Sequence, residues 1–100
     1  MAPPSQELEP PAIPGRFKPL RVVVLKDGNV FVAQCLEIDI AAQGLSNNEA
    51  LMRLQAVLRA EAQLAEFEGR NITDIGAAPE RFHLLYGSEV VGRTEMRMVA

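Results

Sequence analysis

Apolar residues fall along this chain in two rhythms. Leu20 to Lys26 (LRVVVLK) and Val30 to Leu36 (VFVAQCL) are short runs rich in β-branched residues, and they flank Asp27-Gly28-Asn29. Asp-Gly between two such runs is a strong hairpin signal, because glycine takes positive φ at little cost. Two antiparallel strands are therefore predicted, with a third, shorter strand from Ile38 to Gln43 that ends at Gly44. In the first strand Leu20, Val22 and Val24 share one side, while Val23 and Leu25 join Arg21 on the other. In the second, Val30, Val32 and Leu36 alternate with Phe31, Ala33 and Cys35. A sheet covered on one face alternates apolar with polar. Apolar residues on both faces predict cover on both, by the C-terminal segment, another subunit or a partner.

From Ser46 the spacing changes to that of a helix. Ser46-Asn47-Asn48-Glu49 fits a capping box: the serine hydroxyl accepts the N–H of residue 49 and Glu49 reaches back to the N–H of Ser46. The helix is predicted from Asn47 to about Phe67, stopped at Gly69. Ala50, Leu51, Leu54, Val57, Leu58, Ala62 and Ala65 form its core stripe, with Glu61 at the stripe's edge, its carboxylate reaching solvent. Met52, Ala56, Ala60 and Phe67 make a weaker stripe nearly opposite. Alanine is neutral anywhere on a helix and Met52 is tolerable in water, so this stripe is either plain surface or a contact with a later segment or a neighbouring subunit.

The ends read differently. Met1 to Pro19 holds six prolines, which fix φ and remove donors, so a disordered or polyproline-like tail is predicted. Ala78-Pro79-Glu80 opens a two-turn helix carrying Phe82, Leu85 and Tyr86 and closed by Gly87. Thr94 to Ala100 alternates Met96 and Met98 with Arg97 and Val99, and is predicted as a strand at a sheet edge. The expectation is one α+β domain over residues 20–100, with a three- to four-stranded antiparallel sheet on one long helix.

Composition narrows the function only a little. One hundred residues, 48% of them hydrophobic and 23% charged, suit one modest core. A net charge of −3 argues against broad nucleic-acid binding, which needs basic patches. Arg16, Lys18, Arg21 and Lys26 are the nearest thing to one. Cys35 has no partner for an internal disulfide, no run is long enough to span a membrane and no secretory signal is evident. A cytoplasmic protein is predicted.

No set of side chains announces catalysis. His83, the one histidine, has no Cys, His or carboxylate at ligand spacing. Cys35 lies in an apolar strand, where a thiol is inert core. Glu37 and Asp39, two apart, are the one pair able to hold Mg²⁺ or divide acid and base roles; solvated acids beside a turn are the default. The glycines are scattered and no phosphate loop is present. Catalytic, metal and cofactor sites are accordingly expected to be absent.

VVVLKDGNVFVAQCLEIDIAAQGLSNNEALMRLQAVLRAEAQL resembles the HicB-like antitoxin domain family. The resemblance is carried by Val32-Ala33, Cys35-Leu36-Glu37, Asp39-Ile40-Ala41, Gln43-Gly44 and Glu49-Ala50-Leu51. Ala78-Pro79-Glu80-Arg81-Phe82 and Glu95-Met96-Arg97-Met98 extend it. It departs at Leu45-Ser46-Asn47-Asn48, where members often have a more acidic, threonine-capped start. The resemblance implies a partial double-stranded-RNA-binding-like fold and a noncatalytic protein-binding role, occluding a small HicA-type mRNA-cleaving toxin, or an orphan member without one. Operator-binding domains appended in many members have no room within residue 100, so direct DNA binding is not expected. A homo-oligomer is predicted, with Arg21, Val23 and Leu25 on the sheet as the partner or oligomer face. The alternatives are an RNA-binding or RNA-processing domain around the Arg and Lys cluster, and a small hydrolase built on Glu37 and Asp39.

Overall fold

The computed structural model describes residues 19–86 and 92–96. Strands β1 (Leu20–Asp27), β2 (Val30–Cys35) and β3 (Ala41–Gly44) lead into helix α1 (Asn47–Phe67). A 3-10 turn (Ile72–Ile75), helix α2 (Glu80–Tyr86) and strand β4 (Gly92–Met96) follow. The four strands make one antiparallel sheet in the order β3-β2-β1-β4. This is an α+β fold with one long helix on the sheet, the class the apolar pattern predicts.

The hairpin turns at Gly28, whose φ of +62° suits a residue without Cβ. The register then sets Val22 opposite Cys35 and Val24 opposite Ala33. Strand side chains alternate between faces, so these four share the side that α1 covers. There Leu20, Val22, Val24, Ala33 and Cys35 meet Ala50, Leu54 and Leu58 of the helix, with Ile38 closing the cluster. Each buried leucine contributes about 1.5–3 kcal/mol of transfer free energy.

One strand start and one position of the helix stripe differ from the pattern. The third strand starts at Ala41, not Ile38, because residues 36–40 form a turn. The Cys35 N–H donates to the Ile40 carbonyl at 3.0 Å, and Ile38 is folded into the core. Alternating Ile38 and Ile40 imitated a strand because both apolar side chains pack inward from that turn. On α1, Val57 is 38% exposed while Ala50, Leu54, Leu58 and Ala65 are buried. At about 100° per residue Val57 sits on the rim of that stripe. Met52, Ala56, Ala60 and Phe67 all face outward.

The helix start keeps one arm of its capping box. Ser46 Oγ accepts the Glu49 N–H at 3.1 Å, but Glu49 Oε1 accepts from Leu45 N–H at 2.8 Å rather than from Ser46. Ser46→Ala leaves a helix-terminal N–H without its side-chain acceptor. It is expected to cost about 1 kcal/mol in urea unfolding, with an unchanged m-value.

The predicted terminal strand is seen as Gly92–Met96, on the β1 edge. Residues 1–18, Gly87 and residues 97–100 lie outside the described residues, and with them the proline-rich tail.

Candidate functional site

The face of the sheet away from α1 is partly roofed by residues 76–86. Val23 and Leu36 are fully buried there and Gln34 nearly so. The roof is stitched on by backbone: the Ala78 N–H donates to the Leu36 carbonyl at 2.9 Å and the Asp39 N–H to the Gly76 carbonyl at 2.8 Å. Arg21 stands opposite Leu36 in the continued hairpin register, and its N–H would ordinarily use that carbonyl. With the carbonyl taken, Glu37 supplies the acceptor. Its Oε1 accepts the Arg21 backbone N–H and its Oε2 accepts Arg21 Nε–H, each at 2.6 Å.

Helix α2 packs on β1 through the same arginine. Arg21 Nη2 lies 3.5 Å from His83 Nδ1, and His83 Nε2 lies 3.1 Å from the Ala78 carbonyl. The guanidinium can only donate and the carbonyl can only accept, so a neutral His83 with its proton on Nε2 satisfies both. The Arg21 guanidinium carbon is 5.6 Å from the Tyr86 ring centroid, within cation–π range. His83 thus ties α2 to the sheet and to its own approach segment.

The CLEIDI segment is similarly spent on structure. Gln34 donates from Nε2 to the Cys35 carbonyl at 2.9 Å, to Asp39 Oδ1 at 3.1 Å and to the Ile40 carbonyl at 3.3 Å. Glu37 is turned to Arg21 and Asp39 to Gln34, so the pair proposed for acid–base or Mg²⁺ chemistry is not brought together as a site. Among the described residues no group of three or more His, Cys, Asp or Glu side chains is placed to hold a metal ion. Burial pushes the Cys35 thiol above its ordinary value, the opposite of what a reactive thiolate needs.

Set beside known proteins, the chain matches no family model, no curated protein and no solved structure.

Of the three face residues named from sequence, Val23 has no surface to offer, Arg21 is ion-paired and partly exposed, and Leu25 is half-buried. Leu25 stands opposite Val32, also half-buried. By strand alternation Val30 continues that line. This strip runs on beyond the segment held at Ala78, His83 and Tyr86. Near it, Val30, Gln43, Gly44, Leu45, Glu49 and Arg53 line a shallow open depression at the β3–α1 corner. Lys26 lies with its ammonium 5.7 Å from the Phe31 ring centroid. Arg16 and Lys18 are outside the described residues.

Gln34, the organiser of the turn, escaped sequence reading because a lone glutamine in a strand carries no pattern. The 3-10 turn is not predicted either, although the three-residue spacing of Asn71 and Asp74, which form a reciprocal capping box, is a signal for it.

Glu37→Ala removes two charge-assisted hydrogen bonds from a half-exposed pair. Between the range for hydrogen bonds to charged groups and that for exposed ion pairs, a loss of about 1–2 kcal/mol is expected. Tyr86 is the one tyrosine and tryptophan is absent, so intrinsic tyrosine fluorescence reports on α2. An unchanged Tyr86 signal and unchanged stability would show the pair is idle.

Proposed function

We propose that this chain is a noncatalytic protein-binding module of the HicB-like antitoxin kind. It would act by occluding a small HicA-type mRNA-cleaving toxin, or as an orphan member without one. The observation that carries the reading is the half-buried apolar strip of Leu25, Val30 and Val32 on a rigid sheet. Apolar groups in such a place suit contact with another polypeptide. Two further points support it. An antiparallel sheet of three or four strands on one long, capped helix is what the resemblance implies, and the acids of its motif hold the fold together.

The RNA-binding reading draws less support. It needs a cluster of free cations, and Arg21 is engaged by Glu37.

The test is co-expression with a HicA-type toxin encoded beside this chain. Growth rescue and co-purification are expected, and Leu25→Asp with Val32→Asp should abolish both while the circular dichroism spectrum stays native. A folded chain that neither rescues growth nor co-purifies with the toxin sinks the antitoxin reading.

A further inference from the structure

The roof over the outer face of the sheet is held more lightly than the strands beneath it. Helix α2 has no buried residue, and the segment leading to it is stitched on by the two backbone bonds at Gly76 and Ala78. The helix itself reaches β1 at Arg21, through His83 and Tyr86. There His83 fits as a neutral ring. Its Nδ1 faces, at 3.5 Å, a guanidinium that can only donate, and its Nε2 donates to the Ala78 carbonyl at 3.1 Å. We propose that α2 is a pH-sensitive strap, latched while His83 is neutral and released from the sheet when Nδ1 takes up a proton.

A proton on Nδ1 would set N–H against N–H and cation against cation. The charges around the ring do not offset this. On the turn over residues 36–40, Glu37 spends both oxygens on Arg21 and Asp39 accepts from Gln34. On β4, Arg93 and Glu95 stand opposite Val23 and Arg21 and so share this face. Arg93 Nη1 donates to the Tyr86 carbonyl at 3.3 Å, and Glu95 is exposed. On α2 are Glu80, in the first turn, and Arg81, whose guanidinium lies 4.7 Å from the Phe82 ring centroid. Among the described residues no carboxylate is ion-paired with the ring. His83 sits in the last turn of α2, where the helix dipole favours a cation, but by less than a hydrogen bond to a charged group is worth. The latched form takes the neutral ring and the lifted form takes either, so protonation favours lifting. Histidine ordinarily changes charge between about pH 5 and 8, and carboxylates near about pH 4. The strap therefore holds at the alkaline end of the histidine window and loosens toward the acid end. Lifting it would bare Val23 and Leu36 beside Leu25 and lengthen the apolar strip.

This inference does not rest on the antitoxin reading, because every readout lies within the chain. His83 is the one histidine, so its ring nitrogens are read directly by nitrogen NMR of the full chain. At about pH 8 the ring proton should sit on Nε2. A helix of seven residues is not stable off the sheet, so lifting also frays it and amide exchange reports the event. Protection at the Leu84, Leu85 and Tyr86 amides, corrected for the intrinsic rate, should fall about tenfold from about pH 8 to about pH 5.5, the lower end for a hydrogen bond to a charged group. The fall should track the titration of the ring, while the Leu54 and Leu58 amides of α1 keep their protection. In His83→Gln the side chain can still accept from Arg21 and donate to Ala78 but does not titrate, so protection should stay level over the same range. A proton on Nδ1 at the alkaline end, level protection in the parent chain, or an equal fall in His83→Gln would each overturn the proposal.

Discussion

Leu54→Ala is expected to lower the unfolding free energy by about 2–5 kcal/mol, the cost of lost transfer energy plus an incompletely collapsed cavity. Leu54 is fully buried and belongs to the cluster formed by β1, β2 and α1. Most of that cluster lies on strands held in register, with Ile38 added from the turn over residues 36–40. For a domain whose total stability is about 5–15 kcal/mol, that loss is a large fraction, and each kcal/mol corresponds to about 4–8 °C in Tm. The control is Leu64→Ala on the same helix, where the side chain is 47% exposed. In dilute solution its effect should stay within about 0.5 kcal/mol. Urea titrations followed by far-UV circular dichroism compare the two. Equal losses at both positions would mean that α1 presents a different face to the sheet.

How much of this was legible in the chain depends on whether a residue's task is periodic. The hairpin, the helix limits Asn47 and Phe67 and the core positions Ala50, Leu54 and Leu58 follow from spacing alone, because burial on one side of a regular element leaves a regular trace. The turn over residues 36–40 does not. It exists because Gln34, Cys35 and Ile40 exchange hydrogen bonds across it, and hydrogen-bond choice within an irregular segment leaves no period to read. Apolar residues on both sheet faces correctly signalled cover on both. What the pattern could not say was that residues 76–86 would supply much of the second cover, since that depends on a long-range pairing of Ala78 with Leu36.

The same contrast explains why the acids of the CLEIDI segment invited a chemical reading. Two carboxylates with strand spacing share a side only if the chain stays extended. Once the chain turns, Glu37 and Asp39 part company, one to Arg21 and the other to Gln34. The resemblance to the HicB-like family rests on many of these residues, and in this chain their visible work is structural: they close a turn and dock α2. On the proposed reading, surface for a partner then has to come from positions outside those motif residues, such as Leu25 and Val30 on the sheet.

Gly44→Ala tests the tightest of the described glycine positions, and a loss of about 1–3 kcal/mol or more is expected. A methyl at Gly44 would lie 2.5 Å from the Ala50 backbone nitrogen and 2.9 Å from both the carbonyl carbon and Cβ of Glu49. These atoms form the first turn of α1, so relief requires lifting the helix off β3. That movement would also disturb the Ser46 cap and the Glu49 hydrogen bond to Leu45 N–H. Gly28→Ala gives a comparison with a different cause. Open space surrounds that position, and its φ of +62° carries the penalty, about 1–2 kcal/mol for an L-residue. Asparagine tolerates that conformation, so Gly28→Asn should recover most of the loss, while Gly44→Asn should be worse than Gly44→Ala. A double variant of Gly44→Ala with Ser46→Ala should cost less than the two separately, because the cap is already displaced when the second change is made. Strict additivity, or a Gly44→Ala chain as stable as the parent, would show that α1 and β3 do not meet at this distance.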